Sequence, residues 1–242
     1  MLKRSPSLAE QVKSYIKRHI VNNKFVTGRI PSETELANEL GVSRTTIRDA
    51  LSRLELEGTI FRKQGAGTFV NEAGLQIKTR LEEIWDYEAV LQAHGYTPST
   101  RIISMDRKLA DSKISTDLAL EINDEVLAIQ KLFLVDDKPV ILVLNYIPTN
   151  IIKLPYTNAD FNPPIYQFLP QFCQQHLAYY LSEIVPLAAS DELANILHVQ
   201  PHQPLICFEE IGYNQDNIPI LKAYSYFRDD LLRLRLIRRE TS

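Results

Sequence analysis

The segment "IPSETELANELGVSRTTIRDALSRLELEG", residues 30–58, predicts two short helices joined by a tight turn. Ser32, followed three positions later by Glu35, has the pattern of a helix capping box, and Gly41 is typical of a residue that ends a helix. Ser43 can cap the second helix, because its hydroxyl can accept a hydrogen bond from a backbone N–H of the first turn. Two short helices joined by a glycine-containing turn form a helix-turn-helix.

The N-terminal end of the second helix is rich in hydroxyl and guanidinium groups. Ile47, Leu51 and Leu54 have the spacing of a buried helix side, which leaves the first turn exposed together with its unpaired N–H groups and the positive end of the helix dipole. Arginine can bind a guanine edge or a phosphate through two parallel hydrogen bonds, and Ser and Thr hydroxyls bind phosphate oxygens. The residues predicted to contact the DNA major groove are Ser43, Arg44, Thr45, Thr46 and Arg48. The alternative is that Ser43 only caps the helix and the arginines are only solvated.

A β-hairpin is predicted directly after the helix-turn-helix, in "TIFRKQGAGTFV", residues 59–70. Ile60 and Phe69 are available to pack on the helices. Gly65 and Gly67 leave the tip without side chains, so that its backbone can approach a narrow groove or a phosphate closely. This hairpin has the character of a wing beside the helix-turn-helix.

Residues 30–70 as a whole resemble the winged helix-turn-helix of the GntR family of bacterial transcription regulators. The resemblance implies that the tip of the second helix contacts a double-stranded DNA operator, and Ser32 and Glu33 are included among the predicted DNA-binding residues. The wing residues that the resemblance places in the adjacent minor groove are Gln64, Gly65 and Gly67. The family commonly has an arginine where Thr34 stands, so one DNA contact is expected to be weaker or absent.

Composition and charge predict a soluble protein with two domains. The chain has 242 residues, of which 45% are hydrophobic and 24% charged, close to the averages for globular proteins. Residues 1–71 carry twelve Lys and Arg against seven Asp and Glu, whereas the rest carries fifteen against twenty-three, so only the front is expected to meet a polyanion. We expect a DNA-binding domain over residues 1–71, a linker over 72–79 and a second domain over 80–242.

The location predicted for the protein is the cytoplasm. No apolar run approaches the roughly 18 residues of a membrane span, and the N-terminal residues lack the apolar segment of a secretory signal. Cys173 and Cys207 are distant from each other in sequence, and we interpret both as reduced, buried thiols. A disulfide or a metal site is the alternative.

The second domain is predicted to be α+β, with helices packed on a central antiparallel sheet. The strands are expected around residues 100–107, 125–135 and 139–147, with a later strand over 177–187 and a last hairpin around Gln215. Helices are expected from Leu81 to Leu91, near 115–121, after the paired prolines at 163 and 164, and over 189–199.

This arrangement resembles the UTRA effector domain of the HutC subfamily, whose fold is like that of chorismate lyase. The segment "KPVILVLNYIP" is similar to the family's hairpin that ends in Tyr-x-Pro, here Tyr146 and Pro148. The segment "AYSYFRDD" is similar to its closing Arg-x-Asp, here Arg228 and Asp230.

The resemblance also implies a small-molecule effector site. Members that bind phosphosugars commonly have arginines and glutamates at the positions of Lys131, Phe133, Val143 and Leu221, and a serine at that of Pro164. The loss of bidentate anchors predicts an effector that is less charged and more apolar than a sugar phosphate. The effector-binding residues predicted here are Lys131, Phe133, Val143, Tyr166, Leu221 and Phe227. The alternative is a filled pocket in a domain that only dimerises or recruits a partner.

Catalysis is not expected. The sequence has no G-x-S-x-G, P-loop or H-E-x-x-H motif, and Pro201 between His198 and His202 favours a loop over a metal-binding helix face. Glu209 and Glu210 are neighbours on a predicted strand and point to opposite faces, so we interpret them as surface charges. No metal and no cofactor are predicted.

The mechanism expected from these features is ligand-responsive repression. A homodimer would bind a palindromic operator with two winged heads, since two heads double the phosphate contacts. The small-molecule effector would change the affinity for DNA by favouring one placement of the heads.

Overall fold

The computed structural model describes residues 6–22, 24–25, 27–75, 81 and 83–228, and in these ranges the chain forms two compact units. The first unit comprises the described residues up to Leu75, and the second those from Leu81 onwards. Each unit has its own hydrophobic core.

The first unit consists of three helices, a small sheet and a fourth short helix. Its helices are α1 (Leu8–Val21), α2 (Glu33–Leu40), α3 (Arg44–Leu56) and α4 (Glu72–Leu75). Its strands are β1 (Arg29–Ile30), β2 (Ile60–Lys63) and β3 (Gly67–Val70), and they pair antiparallel in the order β1-β3-β2. The core lies among the first three helices, and Ile16, Ile47 and Leu54 are completely buried in it.

Local capping fixes the ends of α2 and α3, as predicted. Ser32 and Glu35 form the reciprocal hydrogen bonds of a capping box, and Gly41 adopts the left-handed conformation with φ 65° at the end of α2. The Ser43 hydroxyl accepts a hydrogen bond from the Thr46 N–H at 3.1 Å, which satisfies one unpaired donor of α3. The predicted helix-turn-helix is therefore present.

The wing is formed by β2 and β3, with one difference from the predicted packing. Ile60 is fully buried against the helices, as expected. Phe69, however, stacks on Phe61 across the hairpin, with ring centroids 5.7 Å apart, and Val70 is the residue of β3 that packs on the core. Successive strand residues point to opposite faces, so only one of these two neighbours can face the helices.

Part of the predicted linker, 72–79, is folded onto the first unit. Residues Glu72–Leu75 form α4, and the Asn71 amide donates a hydrogen bond to the carbonyl of Gly58 at 2.9 Å. A Cβ atom at Gly74 would lie only 1.9 Å from that carbonyl oxygen, so the close approach requires glycine. Residues 76–79 lie outside the described ranges.

The second unit is a six-stranded antiparallel sheet with short helices, which confirms the predicted α+β class. The strands are β4 (Pro98–Leu109), β5 (Glu125–Val135), β6 (Lys138–Pro148), β7 (Tyr179–Ala188), β8 (Pro204–Tyr213) and β9 (Pro219–Phe227). They pair in the order β4-β5-β6-β9-β8-β7. The helices are α5 (Tyr87–Ala93), α6 (Ser112–Asp117), α7 (Ile165–Phe168) and α8 (Asp191–Leu197), and a wider helical turn over Leu169–Cys173 continues α7.

Two helices begin at residues other than those predicted, because aspartates cap them. The Asp86 carboxylate accepts hydrogen bonds from the Glu88 and Ala89 N–H groups, so α5 begins at Tyr87 and not at Leu81. Asp111 caps α6 in the same way, and this helix covers residues 112–117 rather than 115–121.

The two faces of the sheet are covered differently. On one face α8 packs on Leu132, Leu134 and Leu142 in a hydrophobic core. The other face carries the neighbouring residues of the same strands, among them Lys131 and Phe133, and part of it is open as a cavity. The pairing of β6 with β9 joins two hairpins that are distant in sequence into one continuous floor.

Candidate nucleic-acid interface and ligand cavity

The tip of α3 presents the predicted basic and hydroxyl groups to solvent. The side chains of Arg44 and Arg48 are 62% and 59% exposed, and Ser43 and Thr45 are also exposed. Thr46 is half-buried. A polyanion can therefore reach both guanidinium groups together with the N-terminal end of the helix.

Glu33, at the start of α2, holds both arginines. The Arg48 guanidinium donates two hydrogen bonds to its carboxylate, at 3.3 and 3.0 Å, and Arg44 lies 3.8 Å away. The hydrogen bonds from Arg48 keep the pKa of the Glu33 carboxyl below its usual value, so the pair is ionised at neutral pH. Glu33 was predicted to bind DNA, and its geometry is that of a residue that positions the arginines.

The hydroxyl groups of Ser32, Ser43 and Thr46 are partly engaged within the protein. Ser32 accepts the cap hydrogen bond from Glu35, and the Ser43 and Thr46 hydroxyls lie 2.8 Å apart. Accepting a cap bond leaves the O–H of Ser32 free to donate to a phosphate oxygen, and the Ser43–Thr46 pair, which uses one O–H between its two hydroxyls, keeps the other. Capping and DNA contact are therefore compatible.

The predicted wing residues Gln64, Gly65 and Gly67 are all exposed at the hairpin tip. Gly65 and Gly67 have φ of 74° and 117°, which L side chains rarely adopt. A Cβ atom at Gly67 would lie 3.2 Å from Nε of Arg29, so the Arg29 guanidinium rests against the wing. The sequence analysis missed Arg29, because a two-residue strand has too little pattern to reveal its pairing with β3.

The second unit contains a cavity of about 440 Å³ between one face of the sheet and the segments around α5 and α7. Its floor consists of two adjacent rows of side chains on one face of the sheet. Each row, here called a rung, joins residues that lie directly opposite one another on neighbouring strands. The first rung consists of Ser182, Glu210, Ala223 and Asn145. The second consists of Ile184, Phe208, Ser225, Val143 and Lys131.

Aromatic side chains form much of the cavity wall. Trp85 lies against Phe208, with ring centroids 5.2 Å apart, and Tyr87 lies edge-on to Phe133 at 5.3 Å. The Tyr87 hydroxyl donates to Ser225 at 2.9 Å, which fixes its ring over the floor, and burial raises the pKa of this phenol. Because its pKa is raised, Tyr87 stays a neutral donor at physiological pH.

Four of the six predicted effector residues line the cavity: Lys131, Phe133, Val143 and Tyr166. Leu221 and Phe227, also predicted to bind the effector, do not line it. They lie on the same face of β9, one rung beyond either end of the floor, and are buried in the cores around Leu177 and Trp85. Alternation puts both residues on the same face of β9 as Ala223 and Ser225, but it does not determine where a cavity on that face ends.

The cavity also contains carboxylates that the sequence analysis did not assign to it. Glu210, interpreted as a surface charge, lies on the floor and accepts a hydrogen bond from the Ser182 hydroxyl at 2.7 Å. Its neighbour Glu209 is on the opposite face and pairs with Lys113. Asp86 and Glu88 lie in the wall, where Asp86 accepts a hydrogen bond from the Tyr166 hydroxyl at 3.4 Å.

The two UTRA-like motifs have structural positions away from the cavity. Tyr146 faces the other side of the sheet, where the Lys108 ammonium lies 4.7 Å from its ring centre. Arg228 donates to the carbonyls of Pro139 and Leu197 and so ties β6 to the end of α8. Asp230 lies outside the described residues.

Within the described ranges, no group of three or more His, Cys, Asp or Glu side chains could hold a metal ion. Cys173 and Cys207 are both buried as free thiols, as predicted. None of the helices built from the described residues is long and apolar enough to cross a membrane.

Family models match both parts of the chain. Residues 8–70 match the bacterial regulatory proteins of the gntR family, and residues 93–233 match the UTRA domain. Both ranges agree with the resemblances drawn from the sequence.

Among curated proteins, the chain is 28% identical over 223 residues to the HTH-type transcriptional repressor NagR of Bacillus subtilis (strain 168), covering 91% of this chain and 90% of that protein. It is 31% identical over 198 residues to the histidine utilization repressor of Pseudomonas putida, covering 81% of this chain and 74% of that protein.

Among solved structures, that of the possible transcriptional regulator YydK from Bacillus subtilis is similar, with a TM-score of 0.75. The match is 15% identical and covers 99% of this chain and all of that one, so it supports the fold alone. The matching family and the two curated relatives are transcription regulators and not enzymes. The chain belongs to the GntR family of bacterial transcription regulators, and it joins the family's helix-turn-helix to a UTRA domain.

Proposed function

We propose that the protein is a repressor that binds a palindromic operator as a homodimer and that a small molecule in the cavity sets its affinity for DNA. The observation that carries the DNA-binding half is the exposed pair Arg44 and Arg48, held by Glu33 at the N-terminal end of α3. We propose repression rather than activation because two relatives, NagR and the histidine utilization repressor, are named as repressors.

A dimer is proposed because a single head of this size makes few contacts with DNA. Two heads related by a two-fold axis match the two halves of a palindrome and double the number of phosphate contacts. The predicted DNA contacts of each head are the α3 tip and the wing.

The cavity supports an effector over the alternative of a second domain that only dimerises or recruits a partner. A volume of about 440 Å³ lies within the range of small-molecule sites, and its lining combines aromatic rings with a few polar groups. An effector can change DNA affinity only if it binds two arrangements of the protein unequally, and DNA must then change effector affinity by the same factor.

The DNA-binding half is tested with an operator selected from genomic fragments by the full-length protein. Arg48→Ala should weaken operator binding roughly five- to 150-fold in fluorescence anisotropy if Arg48 reads a base, and should chiefly reduce the salt dependence if it binds a phosphate. Arg53→Ala is the matched control, since Arg53 is also an exposed, ion-paired arginine of α3 but lies in the last turn of the helix. Unchanged affinity and salt dependence in Arg48→Ala would remove Arg48 from the interface.

The effector half is tested by thermal unfolding of the protein with a library of metabolites, followed by operator titrations with each compound that stabilises it. A stabilising compound that weakens operator binding supports the proposal. A library in which no compound does both supports the alternative, in which the second domain has no small-molecule effector.

A further inference from the structure

The charges around the cavity are unbalanced toward the negative. Among the described lining residues, the acidic side chains are Glu83, Asp86, Glu88 and Glu210, and the single basic one is Lys131. Glu83 is exposed, but the other three carboxylates are partly buried. Since like charges in a partly desolvated space are unfavourable, this lining disfavours an anion and favours a cation.

Lys131 is not available to an anionic ligand. Its ammonium donates to the backbone carbonyls of Phe161 at 3.1 Å, Pro163 at 3.3 Å and Asn162. An ammonium has three N–H donors, so these three carbonyls use all of them. The cavity floor therefore offers no free cationic donor among the described residues that line it.

Among the residues that the structure describes, no cation pairs with Glu210 on the cavity side of the sheet. Its hydrogen-bond partner is the Ser182 hydroxyl, and the nearby Lys222 ammonium lies on the opposite face, 2.9 Å from Asp117. Burial raises the pKa of the Glu210 carboxyl, with Lys222 compensating only in part. A partly buried carboxylate without a paired cation is costly, and a ligand cation would offset that cost.

Asn145 is an unused polar group on the same rung as Glu210. It is 6% exposed, lines the cavity, and makes no side-chain hydrogen bond with any residue that the structure describes. Only the methyl group of Ala223 stands between Asn145 and Glu210 on the floor. Buried amides are normally hydrogen-bonded, so this side chain points to a polar group of a ligand.

The walls are suited to the rest of such a ligand. Trp85, Tyr87 and Phe208 offer apolar surface to a flat or aliphatic body, and the faces of aromatic rings attract cations. An ammonium group placed among these rings would lose part of its water, which strengthens its attraction to the carboxylates.

We infer that the effector is a small organic cation, with one or more N–H donors on an apolar or aromatic body, whose charged group binds Glu210 and Asn145. Asp86 and Glu88 add to the negative potential from the wall. This inference rests on the proposed function, because it takes the cavity as the effector site.

The test uses three probes with the same phenyl body and different charge: 2-phenylethylammonium, 2-phenylethanol and 3-phenylpropanoate. Their dissociation constants for the full-length protein are measured by ligand-observed NMR at pH 7. The ammonium compound should bind at least roughly tenfold more tightly than the alcohol, the effect of one charge-assisted hydrogen bond, and the carboxylate most weakly.

Glu210→Gln tests the position of the charge. It should abolish the preference for the ammonium over the alcohol, chiefly by weakening the binding of the ammonium compound. Glu209→Gln is the matched control, because it removes a carboxylate from the adjacent residue on the opposite face. That variant should keep the preference.

Equal or tighter binding of 3-phenylpropanoate or 2-phenylethanol by the wild-type protein would overturn the inference and leave the effector proposal standing. The failure of all three probes to bind would also overturn the inference, whereas the metabolite library decides the effector proposal separately. A Glu210→Gln protein that keeps the full preference would overturn the assignment to Glu210, and wild-type probe affinities decide the charge class even if that variant does not fold.

Discussion

The guanidinium of Arg48 lies 3.3 and 3.0 Å from the two carboxylate oxygens of Glu33, a two-point contact that joins the first turn of α2 to the second turn of α3. Such a fork limits the rotamers of a long side chain in the free protein. Arg48 is thus held in place before any partner arrives, while most of its side chain stays exposed.

Glu33→Gln should lower the ratio of operator affinity to non-specific affinity roughly two- to tenfold, because Arg48 must then be ordered during binding. Non-specific affinity should rise slightly, since one negative charge near the phosphates is lost. Anisotropy titrations with the operator and with a scrambled duplex measure both quantities. Glu39→Gln, which removes a carboxylate from the far end of α2, is the control, and an equal change in the two variants would contradict the role of Glu33.

Ser43→Asp should separate helix capping from DNA contact. Aspartate caps as well as serine, so the unfolding temperature should stay near that of the wild type, whereas Ser43→Ala should cost roughly 0.5 to 2 kcal/mol of stability. The new carboxylate should repel phosphate and weaken operator binding at least roughly fivefold. Calorimetry and anisotropy on the same samples check the two effects, and full operator affinity in Ser43→Asp would place Ser43 outside the interface.

Arg29→Ala should weaken operator binding, because the guanidinium beside Gly67 lies where the wing is proposed to meet the minor groove. If Arg29 contacts a phosphate, the slope of log affinity against log salt concentration should fall by about 1. Titrations at several salt concentrations measure this slope, again with Arg53→Ala as the control. A slope equal to that of the wild type would mean that Arg29 only supports the wing.

The two thiols should be unreactive in the folded protein. Burial raises the pKa of Cys173 to about 11 and that of Cys207 to about 12, so at pH 8 the reactive thiolate is scarce and shielded. Mass spectrometry after iodoacetamide treatment should find no modification of either residue in native protein and two modifications in guanidinium chloride. Rapid labelling of the native protein would contradict the burial of the labelled cysteine.

Glu210 should make the wild-type protein less stable as pH rises. Its folded pKa is raised, so between the usual carboxyl pKa and this raised value the folded state binds more protons than the unfolded state. In that range stability falls with increasing pH, and Glu210→Gln should lack this part of the fall. Unfolding temperatures of both proteins from pH 4.5 upwards, where an ordinary glutamate carboxyl loses its proton, should therefore diverge in favour of the variant. Parallel curves would show that Glu210 does not gain a proton on folding.

The sequence by itself determined the elements of the first unit and most strands of the second. A capping box, a left-handed glycine and the buried side of α3 depend on residues within a few positions of one another, so local pattern specifies them. The family resemblance pointed to Lys131, Phe133 and Val143, and the structure has these three residues on one face of β5 and β6.

Only the tertiary structure decided which of those side chains meet. The pairing of β9 with both β6 and β8 puts Asn145 and Glu210 on one rung, and it leaves Leu221 and Phe227 one rung beyond the cavity. The contact of Arg29 with the wing likewise depends on a strand pair that is distant in sequence. Register between such strands is set by packing over the whole unit, which no local run of residues encodes.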